Sequence, residues 1–349
     1  MIPPSRPAPI APRFLAATFT LALASASAGL LHAAQPGDAL LDRWALTLPA
    51  GNAGWLELKK EKGWYDGSIL WGGGSVLPVA SVTIDGDSAT VTRVREVERK
   101  DAAGKVVRKQ QLTETLTVNA LGDTLHVTRI APRPDGSGFD RSVMTGKRIP
   151  ALPARPDLSK VKYGAPITLL TTKDLSGWRL IETNALNGWS VTDGVLHNRP
   201  AEAVPGQPRV RYGNLRTDRE FEDFNLTLEV NVPKGSNSGV YLRGIYEIQV
   251  LDSHGKELDS HNMGSVYSRI TPTVAAEKPA GEWQTMNLTL VDRHVTVVLN
   301  GKTIIDNQPL AGCTGGAMWS DQFRPGPLFL QGDHGPVSYR NLVLRPVVK

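Results

Sequence analysis

No stretch of this chain repeats apolar residues at helical spacing between caps; the apolar residues come instead in short alternating runs cut by turn signals. Residues 76–79, 82–84, 89–97, 111–118 and 124–130 are rich in Val, Thr, Ile and Leu. Between them stand Asp85-Gly86-Asp87, Ala103-Gly104-Lys105 and Leu121-Gly122-Asp123, the punctuation of β-hairpins in series. The pattern resumes at 167–170, 189–192, 195–198, 225–232, 239–243 and 246–251, then at 285–291, 294–299, 302–306, 327–331 and 337–344. Asp193-Gly194 and Asn300-Gly301, each flanked by alternating apolar residues, mark two tight hairpins. The chain is therefore expected to be all-β. About eleven strands in the second half are too many for one open sheet and call for two stacked sheets, a jelly-roll sandwich.

Between the two strand-rich halves, residues 146–166 hold four prolines and five Lys or Arg. Such a segment pairs poorly as a strand and has little to bury, so it reads as a linker. The 349 residues then divide into a small all-β module at 38–145, a barrel or a sandwich, and a jelly roll at 167–349. Trp55, Trp64 and Trp71, with Gly72-Gly73-Gly74, are candidates to line a sugar-binding surface, although core positions suit two of these tryptophans better. Ahead of the module, Arg6 and Arg13 precede an apolar run at 14–26 that ends in small residues, with Ala24-Ser25-Ala26 and Ala26-Ser27-Ala28 as candidate cleavage sites and Ala34 as a later one. This is the form of a secretory signal peptide, so residues 1–34 are expected to be removed and the protein to be periplasmic or secreted. No later segment reaches the length of a membrane span.

The net charge of +5 does not indicate a nucleic-acid partner, because the densest basic stretch, 93–109, is interleaved with Glu96, Glu98 and Asp101 and reads as a solvated hairpin. Cys313 is the single cysteine, which rules out an internal disulfide and a Cys-based zinc site. There is no Gly-rich phosphate loop, no His-Glu-x-x-His and no Gly-x-Ser-x-Gly. His254, Asp259 and His261 suit a divalent cation by residue type, but without fixed ligand spacing a solvated loop is the simpler reading. No other cofactor is implied.

Several segments in the second half stand in a recognisable order. They are Asp174-Leu175-Ser176-Gly177-Trp178, the 189–196 segment WSVTDGVL, the 237–244 segment NSGVYLRG and the 246–252 segment YEIQVLD. The 278–286 segment KPAGEWQTM, Leu299-Asn300-Gly301, Gln331-Gly332-Asp333-His334-Gly335 and Tyr339-Arg340-Asn341-Leu342 follow. Over about 165–347 the chain resembles the 3-keto-disaccharide hydrolase family. In that family the late run is usually Gln-Asp-His-Gly; here Gly332 splits it. The resemblance implies a concanavalin-like jelly roll, often exported, that cleaves the glycosidic bond of glycosides already oxidised to a ketone at C3, by hydrolysis or by elimination and hydration. A separate dehydrogenase would make that substrate.

Within 241–252, Tyr241, Arg243, Glu247, Gln249 and Leu251 share one parity, and Leu242, Ile248 and Val250 share the other. An unbroken strand would put the polar set on one face and the apolar set in the core. A bulge or turn at Gly244 would still leave Arg243 near Glu247. A C3 ketone acidifies the C2 proton, so elimination asks for one base, one acid and a partner for the enolate oxygen. Hydrolysis through an oxocarbenium ion would instead ask for a carboxylate pair. Glu247 is the candidate base or acid, His334 its complement, and Arg243 or Lys278 the enolate partner. Tyr241, Gln249, Asp252 and Asp333 are candidates for holding substrate. Each has a plainer alternative: an Arg243–Glu247 surface ion pair, a turn-capping His334, a solvated Lys278, and an Asp252 that opens the 252–255 turn. Asn237 is read as organising the turn at Gly235-Ser236. A non-catalytic carbohydrate-binding protein is the alternative to the enzyme.

Overall fold

The computed structural model describes residues 37–201 and 210–348, and the expected signal peptide lies outside them. Among the described residues the only helical elements are two short 3-10 turns, Asp38–Leu40 and Leu158–Lys160. No helix among them is long and apolar enough to cross a membrane.

The first sheet holds β1 (Asp42–Thr47), β2 (Ala53–Lys60), β3 (Tyr65–Trp71), β4 (Leu77–Pro78), β5 (Ser81–Asp85), β6 (Ser88–Lys100), β7 (Val106–Leu121), β8 (Thr124–Pro132) and β9 (Phe139–Arg148). Neighbours run β2-β1-β9-β8-β7-β6-β5-β3-β4, and β2 also pairs with β3, so the sheet closes on itself as an antiparallel barrel. Inward positions fill it: Trp44, Leu46, Leu56, Leu58, Ile69, Val91, Leu116, Val118, Leu125 and Val127 are all buried there. β6 and β7 pair as far as Lys100 opposite Val106, and Lys109 reaches Glu96 at 2.7 Å. The basic stretch is thus the solvated hairpin that the charge pattern predicts.

Among the described residues the second half has thirteen strands: β10 (Ile167–Thr168), β11 (Trp178–Leu180), β12 (Trp189–Thr192), β13 (Val195–Asn198), β14 (Leu215–Thr217), β15 (Phe224–Asn231), β16 (Asn237–Leu242), β17 (Tyr246–Leu251), β18 (Trp283–Val291), β19 (His294–Leu299), β20 (Lys302–Pro309), β21 (Phe329–Leu330) and β22 (Val337–Pro346). They form two sheets, β12-β13-β22-β15-β18-β19-β20 with β10 on β22, and β11-β14-β21-β16-β17. This is a jelly-roll sandwich. Phe224, Leu226, Leu228 and Val230 from β15 share its core with Val240, Leu242, Ile248 and Val250 from the second sheet. The period-two alternation of each strand puts these residues inside and their neighbours outside.

The sandwich core also takes in Ala45, Ala53, Trp55, Leu70 and Ile149 from the barrel half. Ala45 pairs with Trp55 and Trp55 with Leu70, so these are the outward positions of β1, β2 and β3. The stretch predicted as a linker differs in two ways. β9 runs on to Arg148, and the residues after it are bonded along the sandwich. Arg293 donates to Pro150 O, Asn307 Nδ2 to Pro156 O at 2.8 Å, and Arg155 pairs with Asp306 at 3.0 Å. Barrel and sandwich lie together in one compact unit, Pro36–Lys349.

Candidate active site

β16, β17 and β21 lie side by side, with Tyr241 opposite both Glu247 and Phe329, and Gly239 opposite Gln249. The apolar parity faces the core. The other parity opens into a cleft of about 260 Å³, lined among others by Asn214, Asn237, Tyr241, Glu247, Gln249, Tyr267, Phe329, Gln331, Asp333 and His334. Five residues singled out from the sequence, Tyr241, Glu247, Gln249, Asp333 and His334, therefore meet in one hollow.

Glu247 lies at its floor, 3% exposed. Its carboxyl rests on Gly239, where a Cβ would overlap Glu247 Oε1, so a residue with no side chain is needed across the strand pair. Tyr241, stacked on Phe329 at 4.0 Å between ring centres, brings its hydroxyl within 2.8 Å of both Glu247 Oε2 and Gly315 O. One hydroxyl hydrogen cannot serve two acceptors. A protonated Glu247 resolves this: the carboxylic acid donates to Tyr241 Oη, and Tyr241 donates to the Gly315 carbonyl. Burial pushes the Glu247 carboxyl up to about 8 and the negative charge of Asp333 adds to the rise; a Tyr241 hydroxyl turned to donate to the ionised carboxylate opposes it. Burial likewise raises the Tyr241 hydroxyl well above its ordinary range, with Glu247 adding to it.

His334 and Asp333 come from the loop that follows β21. Asp333 Oδ1 lies 2.7 Å from His334 Nδ1. A carboxylate can only accept, so the neutral ring carries its hydrogen on Nδ1 and offers Nε2 as a base. Two asparagines hold this loop: Asn214 Oδ1 accepts from Gly332 N, and Asn198 Nδ2 donates to Gly332 O and Gly335 O. Gly332, which interrupts the familiar run, passes so close to Gly213 O and Trp189 Nε1 that a Cβ has no room. The interruption leaves Gln331, Asp333 and His334 all lining the cleft.

Gln249 Oε1 accepts from Val250 N at 2.9 Å, which fixes the amide and leaves its Nε2 as the free donor end. Asn237 Oδ1 and Gln331 Oε1, both buried, have no hydrogen-bond partner among the described residues. Buried polar atoms of this kind are costly unless a ligand satisfies them, and hydroxyl groups of a sugar are suited to do so.

Three expected site residues lie elsewhere. Arg243 is not beside Glu247: with Gly244 it forms the turn between β16 and β17, at φ 56° and 69°, closed by Ile245 N on Leu242 O. The left-handed backbone takes Arg243 out of the strand alternation. Its guanidinium is buried against Gln322 O and Arg324 O. Lys278 stands on the loop before β18, where its Nζ donates to Trp283 O. Asp252 Oδ2 accepts from Gly235 N, so Asp252 organises the turn that was assigned to Asn237, and Asn237 lines the cleft. The two roles are exchanged.

Asn214, Tyr267, Phe329 and the Gly315-Gly316 pair, none of them a candidate from the sequence, also stand on the cleft wall. Only the glycine pair carries a local signal, two adjacent positions without side chains. Of the three tryptophans, Trp55 is core, Trp64 is exposed, and Trp71 is half-buried, with the guanidinium groups of Arg93 and Arg129 5.5 and 5.3 Å from its ring centre. His254 bonds to Glu277 O while His261 bonds to Asp259 and Ser75, and no group of three or more potential ligands gathers among the described residues.

Residues 165–345 match the sequence profile described as the 3-keto-alpha-glucoside-1,2-lyase-like domain. A 3-keto-disaccharide hydrolase of Bacteroides thetaiotaomicron is 26% identical over 171 residues, 40% of this chain and 57% of that protein. The chain thus spans little more than half the length of this relative. Two crystal structures of candidate glycosyl hydrolases from Parabacteroides distasonis are also similar. One is 26% identical with a TM-score of 0.44, covering 61% of this chain and 96% of the other. The second is 19% identical with a TM-score of 0.42, covering 52% and 94%.

Proposed function

The chain belongs to the 3-keto-alpha-glucoside-1,2-lyase-like family, and on that premise we propose that it is an exported enzyme that cleaves the glycosidic bond of 3-keto-glycosides by elimination followed by hydration. The observation that carries this reading is the pairing, in one cleft, of a buried acid whose proton is held to about pH 8 with a histidine oriented by a carboxylate.

In this scheme His334 Nε2 removes the C2 proton, which the neighbouring ketone has acidified. The electron pair moves through the enolate and expels the oxygen at C1, and Glu247 donates its proton to that oxygen as the alcohol leaves. The glycosidic C1–O bond breaks, and C1 and C2 become the double bond of an enone. Water then adds, its hydroxyl to C1 and a proton to C2, so the sum of both steps is hydrolysis. The enolate oxygen needs hydrogen-bond donors. With Arg243 and Lys278 outside the cleft, the amide N–H groups of Gln249, Asn237 and Gln331 fill that role.

The test is aglycone release from a 3-keto-glucoside. Wild-type protein should release it, and Glu247→Gln and His334→Ala should each lose about 10²–10⁴-fold in kcat, the usual weight of a positioned proton carrier. Folded protein that retains the glycoside without turnover, equally well in Glu247→Gln, would point to the carbohydrate-binding reading.

A further inference from the structure

We propose that the barrel is a working part of the cleft: its 72–75 loop, between β3 and β4, forms one wall and, through Gly315, holds Tyr241 and Glu247 in position. This deepens the reading above, on which it rests for the role of Glu247.

The matched family region begins only at residue 165, yet Gly73 and Gly74 line the same cleft as Glu247 and His334. They arrive there by close backbone contact. A Cβ on Gly315 would overlap the Gly74 carbonyl oxygen, and one on Gly316 would stand 2.7 Å from the Tyr241 hydroxyl. Gly316 N also faces Gly72 O at 3.4 Å. Glycine on both sides of this contact lets two backbones meet where any side chain would separate them.

Side chains fasten the same junction. The Asp259 carboxylate accepts from His261 Nδ1, which leaves Nε2 as an acceptor for the Ser75 hydroxyl at 2.8 Å. Val76 N donates to Ser268 Oγ at 2.9 Å. The His261 ring meets the edge of Tyr267, itself a wall residue, with ring centres 4.9 Å apart. Behind the loop, Trp55 Nε1 donates to Ala311 O, and Arg269, lying over the Trp55 ring, donates to Cys313 O. The 311–316 segment is thus held by Trp55 from the barrel and by Arg269, stacked on that same ring, from the sandwich half. Its Gly315 carbonyl is the acceptor that orients Tyr241, and Tyr241 orients Glu247. Gly72, Gly73, Gly74 and Ser75 are positioning residues in this arrangement, with the wall limiting how far a substrate extends.

Gly73 gives the cleanest test. Its backbone lies outside the left-handed region and a Cβ there meets no described atom within 4 Å, so the first atom of a side chain is accommodated without strain. Gly73→Phe should raise KM for a 3-keto-disaccharide at least about tenfold while leaving Tm unchanged, the mark of an obstructed binding wall. Ser75→Ala and Gly315→Ala should open the Tyr241–Glu247 floor to water. The alkaline limb of kcat/KM, and the carbon-13 titration midpoint of the Glu247 carboxyl, should then fall by about one pH unit or more. The titration needs no substrate. If wild-type protein releases no aglycone, the functional reading falls and the titration still decides the barrel's part. An unchanged KM in Gly73→Phe, or an unchanged midpoint in well-folded Ser75→Ala and Gly315→Ala, would overturn the proposal.

Discussion

Glu247 keeps its proton because burial takes its carboxyl out of water and the negative charge of Asp333 adds to the rise. That has a consequence for stability. The folded carboxyl is held to about 8, against an ordinary 4.5. Below about pH 4.5 both folded and unfolded chains carry the proton. Between there and about 8 only the folded chain does, so stability falls as pH rises, by up to roughly 1.4 kcal/mol per unit from this group. Glu247→Gln imitates the protonated acid. Thermal melts from pH 5 to 9 should show the variant overtaking wild type as pH rises, and parallel curves would deny the buried proton. The same residue shows how much was legible beforehand. The parity of Tyr241, Glu247 and Gln249 was readable, because strand alternation is a local rule. That Arg243 leaves the face was not, because its left-handed turn conformation is set by the pairing of β16 with β17. Nor could residue type alone separate Asp252 from Asn237, since either can close a turn.

At the scale of the element, the β16–β17 hairpin is built around one small residue. Gly239→Ala would place a methyl against Glu247 Oε1 and push the carboxyl off its seat. Overpacking of this kind costs about 1–3 kcal/mol. The expected result is a fall in kcat of about 10²-fold or more, from a displaced acid, with Tm lowered by only a few degrees; unchanged kcat would mean that the seat does not matter. Strand positions in this half follow the sequence closely: β12, β13 and β17 begin and end where the alternation does. β1, β2, β3 and β9 escaped the sequence reading. Their runs mix Trp, Gly, Lys and Glu with fewer β-branched residues, and β2 is buried on both of its faces, which erases the clean alternation of a half-exposed strand.

The whole molecule departs most from what the sequence suggested. A Pro-rich stretch between two strand-rich halves reads as a tether, but the outward face of β1, β2 and β3 enters the sandwich core. No periodicity rule reveals such a junction, because it depends on which barrel face meets which sheet. We expect barrel and sandwich to unfold in one calorimetric transition. Trp55→Ala should cost about 3–5 kcal/mol, the range for deleting a buried large aromatic side chain, and should lower that single transition. Two separate transitions in wild-type protein would show that the halves fold independently.

The chemistry itself is most directly tested by running the reaction in deuterium oxide and locating deuterium in the released sugar, against a control without enzyme. If His334 takes the proton at C2 and water later restores one, the enzymatic product carries deuterium at C2 from the first turnover, and His334→Ala abolishes it. A released sugar with its original hydrogen at C2 would contradict elimination and return the cleft to direct hydrolysis at C1.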